Sequence, residues 1–126
     1  MKKNLVITAF LGILAIILGA FASHGLKEHL DPNELKSFET AVHYQMFHVL
    51  ALLIVNMYGG FSDKSKKIIS YLFFAGIVFF SGSIYSIYLF GVTASSIWFF
   101  TPLGGILFIL GWIFLLISIL QTQEKI

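Results

Sequence analysis

The chain has 126 residues, 58% of them hydrophobic and only 11% charged, with a mean hydropathy of +0.91. A soluble domain needs roughly a quarter charged residues to cover its surface, so this composition points to one domain immersed in a membrane. The net charge of +2 gives no electrostatic footing for nucleic acid, and the absence of cysteine excludes disulfides, thiolate metal sites, covalent haem c and cysteine nucleophiles.

The first element is an uncharged run from Leu5 to Ala22. About twenty apolar residues cross a hydrocarbon core, so this run predicts a membrane span. Lys2, Lys3, the apolar run and Ala20-Phe21-Ala22 also have the outline of a cleavable signal peptide. The run exceeds the usual length of a signal core, so an uncleaved span is expected. The second span is predicted over 41–58, with a helical extension from residue 32. Asp31 suits the N-cap, Pro32 the first helical position, and Glu34 the third position of a capping box. Gly59-Gly60 is expected to end it. The helix would be about 40 Å long, longer than the ~30 Å hydrocarbon core, so its first turns should protrude. Ile68–Phe90 and Trp98–Leu120 predict spans three and four. The expected fold is an all-α, four-helix transmembrane bundle forming a single domain over 1–126.

Positive charge near span ends sets orientation. Lys2, Lys3, Lys64, Lys66, Lys67 and Lys125 fall on one side of a four-span chain, and Lys27 and Lys36 on the other. This asymmetry predicts a multi-pass protein with both termini in the cytoplasm. Recurrent small residues mark helix-contact faces: Ala15, Gly19 and Ser23 with Gly12 in span one, Gly76, Ser81, Gly82 and Ser83 in span three, Gly104 and Gly111 in span four.

All four histidines lie between residues 23 and 50. On span two, the spacing of Gln45, His48, Leu52 and Asn56 puts them on one side, and that side should face the bundle interior because unpaired polar groups in hydrocarbon are costly. Glu39 and His43 are spaced to pair. His43 and His48 are five apart, about 140° around a helix, and cannot face one metal. Ser23 and His24 end span one, while Ser81, Ser83, Tyr85 and Ser86 occupy the outer half of span three and Thr101 and Pro102 the start of span four. The prediction is one polar pocket or network opening outward, centred on a neutral His48 linked to Tyr44 or Gln45, to Tyr85 or a serine, or to His24. The inner half offers only Asn56 and Ser70. No nucleophile elbow or ligand-spaced metal motif occurs, so no catalytic residue, metal or other cofactor is expected. A metal on His24, His48 and His29, or haem between histidines, is the third-ranked reading.

Four segments, LGAFASHGLK, FETAVHYQMFHVLALL, FFSGSIYSIYL and TPLGGILFILGWIFL, resemble in order the motifs of a family of small bacterial inner-membrane proteins of unknown function related to the eukaryotic transmembrane protein 256 group. The family pattern falls on Gly19 to Lys27, on Tyr44, Gln45 and His48, on Phe80 to Ser83 with Tyr85, and on Pro102, Gly104, Gly105, Gly111 and Trp112, with Ala22-Ser23 replacing Gly-Ala. The resemblance implies four membrane helices and an uncleaved first span, and it implies no activity. It narrows the candidate ligand-binding residues to His24, Tyr44, Gln45, His48, Ser81, Ser83 and Tyr85.

The expected function is binding of a small ligand or lipid, or passage of a small solute, at the outer pocket. The alternative is a structural or accessory subunit whose polar residues only hold the bundle or a partner. Membrane lipid is the expected partner, with a small-molecule ligand, a homo-oligomer or a partner membrane protein left open. The topology is testable because the chain has no cysteine of its own. Cysteine at Asn33 should react with an impermeant reagent applied outside the cell, and cysteine at Ser65 should be protected; the reverse pattern would sink the assigned orientation.

Overall fold

A computed structural model describes residues 2–122, so Lys125 lies outside the described residues. Within them the chain forms four helices long and apolar enough to cross a membrane: α1 (Lys2–His24), α2 (Pro32–Met57), α3 (Asp63–Phe90) and α4 (Phe100–Gln121). The observed spans match the expected ones with three adjustments. α3 begins earlier, capped by the Ser62 side chain on the Ser65 N–H. α4 begins at Phe100, leaving Trp98 in the preceding connection. The capping box of α2 forms as predicted, but the helix ends at Met57 with Tyr58 extended, before Gly59-Gly60. The left-handed glycine cap occurs instead at Gly91, after α3 (φ 70°). That conformation is open to glycine at little steric cost.

α2 and α3 are central and well buried, while α1 and α4 are peripheral and mostly exposed. α1 runs antiparallel along α2. Thr8, Gly12, Ala15, Gly19 and Ala22 recur at alternating steps of four and three, the heptad spacing of helices that pack side by side. Across from them, Phe38, Val42, Gln45, Val49, Leu52 and Asn56 follow the same steps on α2, and all six are buried. Val49 packs on Gly12 and Val42 on Gly19. The seam therefore sets small residues of α1 against large ones of α2. Ser23, expected in this seam, is exposed; the three-four alternation carries the seam through Ala22.

α4 docks antiparallel on α3 through glycine and phenylalanine. A Cβ on Gly111 would strike the Phe73 ring, one on Gly76 the Phe108 ring, and one on Gly104 the backbone of Phe80. Close approach through glycine replaces the hydrophobic effect, which cannot drive association between helices in lipid. The sequence predicts a regular helix through this part of α3, but Ile77–Ser81 is a π-helical turn. The widened turn carries the Phe80 backbone onto Gly104 while Ser81 reaches across to α2, where its hydroxyl donates to the Ala41 carbonyl (2.7 Å).

Gly104 and its neighbour Gly105 make a matched test, since a Cβ on Gly105 meets nothing within 4 Å. Gly104→Ala should destabilise the bundle by about 1–3 kcal/mol, read from its unfolding in detergent, whereas Gly105→Ala should lie within ~0.5 kcal/mol of wild type.

Candidate functional site

α2 carries two adjacent faces. Gln45, Leu52 and Asn56 belong to the seam with α1. Ala41, Tyr44, His48, Ala51 and Val55, again at alternating steps of three and four, form the face toward α3 and α4. The expectation that Gln45 and His48 share one site is corrected by this division. Three residues apart, they differ by about 60° around the helix, which suffices to place them at different interfaces.

Gln45 is 2% exposed. Its Nε2 donates to the Leu11 carbonyl of α1 (2.8 Å), and its Oε1 accepts from the Tyr85 hydroxyl of α3 (2.7 Å). One amide thus ties three helices, and only this amide orientation satisfies both neighbours. The Tyr85 ring leans on buried Phe38.

His48 is 5% exposed. Its Nδ1 lies 2.7 Å from the Tyr44 carbonyl, which can only accept, so Nδ1 carries the hydrogen. Its Nε2 accepts from the Trp112 indole N–H of α4 (2.9 Å). Both nitrogens are satisfied in the neutral Nδ1–H tautomer alone, as a second ring proton would face the indole donor. The imidazole is stacked on Phe108 (3.7 Å between centroids, 12° between planes) and meets Phe73 edge-on. Neither Tyr85 nor His24 occupies a ring nitrogen. His24 is exposed at the end of α1, away from this cluster of contacts. Tyr44 is 41% exposed and stacks on Phe80.

Ser81 and Ser83 also face different elements. Ser81 bonds to α2, and Ser83 shares a hydrogen bond with Thr101 of α4. The seven predicted residues therefore do not line a single outward pocket. Gln45 and Tyr85 border a cleft of about 220 Å³ beside α1. Ser83 borders another of about 350 Å³ under the connection between α3 and α4. Tyr44 and His48 line a third, an apolar groove of about 420 Å³ between α2 and α4, with Pro102, Gly105, Phe108 and Trp112. Among the described residues, no group of three His, Asp or Glu side chains could hold a metal ion. The Glu39–His43 pair does not form; the His43 ring lies against Phe47.

Sequence spacing gives Trp112 no partner. It lies in the family-like segment, yet its role depends on depth: a tryptophan twelve residues into α4 has its N–H near mid-membrane, where it needs an acceptor. At the other end of the bundle a second polar cluster forms. Asn56 donates to the Ser70 hydroxyl (2.9 Å) and the Leu52 carbonyl, and accepts from the Asn4 amide (3.1 Å). Asn4 and Lys66 join the expected Asn56 and Ser70 there.

The model of a family described as "Protein of unknown function (DUF423)" matches residues 18–105. The chain belongs to the DUF423 family. The matched DUF423 segment holds all seven predicted site residues and stops before Trp112. The chain is 40% identical to a UPF0382 membrane protein of Staphylococcus aureus over 94% of this chain and 95% of that protein. It is also 40% identical to the UPF0382 membrane protein YwdK of Bacillus subtilis, over 94% and 96%. A Haemophilus influenzae UPF0382 membrane protein is 38% identical over 89% of each chain. No solved structure matches the chain. This member of the DUF423 family, whose function is unknown, is thus a membrane protein with four membrane-capable helices.

A double-mutant cycle measures the tie between α2 and α4. His48→Leu and Trp112→Phe should each destabilise the bundle, and their effects should be non-additive by about 0.5–1.5 kcal/mol in detergent unfolding. Additive effects would mean that the hydrogen bond contributes nothing.

Proposed function

We propose that the protein binds an amphiphile, a membrane lipid or a similarly apolar small molecule, by its apolar part in the groove between α2 and α4. The observation that carries this reading is the groove itself. Its volume falls in the range of ligand sites. From Pro102 to Trp112 it runs about 15 Å along α4, half the ~30 Å hydrocarbon thickness, which suits a chain from one leaflet. Its floor is the His48–Phe108 stack and its side is open to lipid. His48 acts here as a wall and a fastening for Trp112, with its proton inventory already used. The proposed activity is binding, with no chemical step and no cofactor.

Solute passage is less well supported. Buried Val49, Leu52, Phe73 and Ile77 separate the Gln45–Tyr85 pair from the Asn56 cluster with apolar side chains. The second reading, a structural role, is favoured for Gln45, Ser81 and Tyr85 by the hydrogen bonds that each makes to a neighbouring helix. The proposed location is the bacterial cytoplasmic membrane, with the lysine-rich end inward, on the strength of the lysine asymmetry.

Gly105 provides the test, because a side chain there enters the groove without meeting protein within 4 Å of its Cβ. Wild-type protein purified in mild detergent should retain an adduct of lipid mass by native mass spectrometry. Gly105→Leu should keep its helicity and unfolding midpoint yet lower the occupancy about tenfold, equivalent to ~1.4 kcal/mol. Equal adduct on both proteins would refute the groove as the site.

A further inference from the structure

The hydrogen bonds of Gln45 leave one donor over. A side-chain amide nitrogen carries two hydrogens. One goes to the Leu11 carbonyl of α1, while Oε1 accepts from the Tyr85 hydroxyl of α3. The second Nε2 hydrogen has no acceptor among the described residues. The side chain is 2% exposed, so that hydrogen carries its desolvation penalty uncompensated. The spare lone pairs on Oε1 and on the Tyr85 oxygen are a lesser matter, because an acceptor with one partner is already served. What the amide lacks is an acceptor.

Beside it lies the cleft of about 220 Å³ between α1 and α3, which Gln45 enters from α2. Leu14 and Leu18 of α1 and Ile77, Val78 and Gly82 of α3 give it apolar walls. With Nε2 turned to α1 and Oε1 to α3, the amide bridges the two walls. Val78 and Gly82 also line the cleft of about 350 Å³ under the connection between α3 and α4, so the two volumes adjoin along α3. The junction is open: a Cβ on Gly82 would meet only the Ile77 carbonyl oxygen, at 3.9 Å. Leu11 lies near the middle of the 23-residue α1. The amide is therefore deep in the hydrocarbon, below the interfacial region that holds the ester linkages of phospholipids.

We propose that this cleft binds a neutral carbonyl compound dissolved in the bilayer, its oxygen accepting the second Nε2 hydrogen of Gln45 and its apolar body lying along Val78 and Gly82. A carbonyl oxygen supplies the missing acceptor and brings no hydrogen of its own that would need a partner in hydrocarbon. No charged side chain lines the cleft among the described residues, which suits a neutral ligand. The site is distinct from the groove beside His48 and does not depend on it.

The chain has three glutamines, Gln45, Gln121 and Gln123, so isotopically labelled glutamine reports the Gln45 amide directly, with Gln121→Ser and Gln123→Ser leaving its signals alone in the spectrum. Full-length protein in detergent micelles would be titrated with methyl nonyl ketone and, separately, with undecane, each measured per detergent. A saturable downfield shift of one Gln45 Nε2 hydrogen is expected with the ketone. Undecane should bind at least about fivefold more weakly, the worth of one net hydrogen bond. Gly82→Leu, which fills the junction of the two clefts, should abolish the response, and Gly105→Leu should leave it intact. Should Gly82→Leu fail to fold, Val78→Phe, at a position 62% exposed, fills the same junction. The proposal is overturned by no saturable shift with the ketone, as when an ordered water alone serves the hydrogen. An equal response to undecane, indifference to the cleft-filling variant, or loss of the response in Gly105→Leu would overturn it too.

Discussion

A primary amide in hydrocarbon has no solvent to fall back on, and Gln45 sits where that constraint is most severe. Its hydrogens and its oxygen must find partners within the protein or cost several kcal/mol. The partners are a backbone carbonyl of α1 and a hydroxyl of α3. The depth of Leu11 and of Tyr85 relative to α2 is therefore set by one side chain. Apolar packing supports the same register, with Val49 seated on Gly12 and Val42 on Gly19. Asn56 repeats the device at the lysine-rich end with Asn4 and Ser70. With two such ties roughly eleven residues apart along α2, about 16 Å, the register of the central helices is fixed at both ends.

The second pair of helices uses a different device. α4 carries little polarity, and its position on α3 is set by shape. Rings seat on glycines in both directions, and at Gly104 backbone meets backbone. The π-helical turn lets α3 satisfy that contact and the Ser81 bond to α2 together. A consequence is the groove. α4 is drawn onto α3 and meets α2 through the His48–Trp112 hydrogen bond and the ring stack, so a trough remains between the α2 and α4 backbones. The glycine that opens it, Gly105, adjoins the glycine that closes the helix pair.

This arrangement separates two roles that polar residues in a membrane can play. Gln45, Tyr85, Ser81 and Asn56 direct hydrogen bonds to neighbouring helices, which gives them a fastening role. Two further open surfaces lie elsewhere. One is the apolar trough beside Trp112, which is 47% exposed. The other is the polar cleft between the α2–α3 turn and the end of α4. An ionisable side chain within a membrane protein is a reasonable first place to look for function. Here it leads to the walls of the sites, and the open volumes complete the picture.

The sequence by itself determined the class and the spans. Charge is expelled from hydrocarbon so strongly that uncharged runs of sufficient length leave few alternatives to membrane helices. The capping box at Asp31 to Glu34 was legible for the same kind of reason, being local chemistry over four residues. The family-like motifs also pointed to Gln45, His48, Tyr85 and Gly104 as residues that matter. The tertiary structure decided which of them meet. Gln45 and His48 lie on one side of α2 by spacing, yet a 60° difference sends one to α1 and α3 and the other to α4. His24 ends α1 at a suitable level, yet its side chain faces outward. The π-turn had no signal in IVFFS, because it arises from meeting two neighbours at once. Trp112 acquired meaning only when its acceptor, His48 Nε2, could be seen beside it. Periodicity reports which face of a helix turns inward, and only the packed bundle assigns that face its partner.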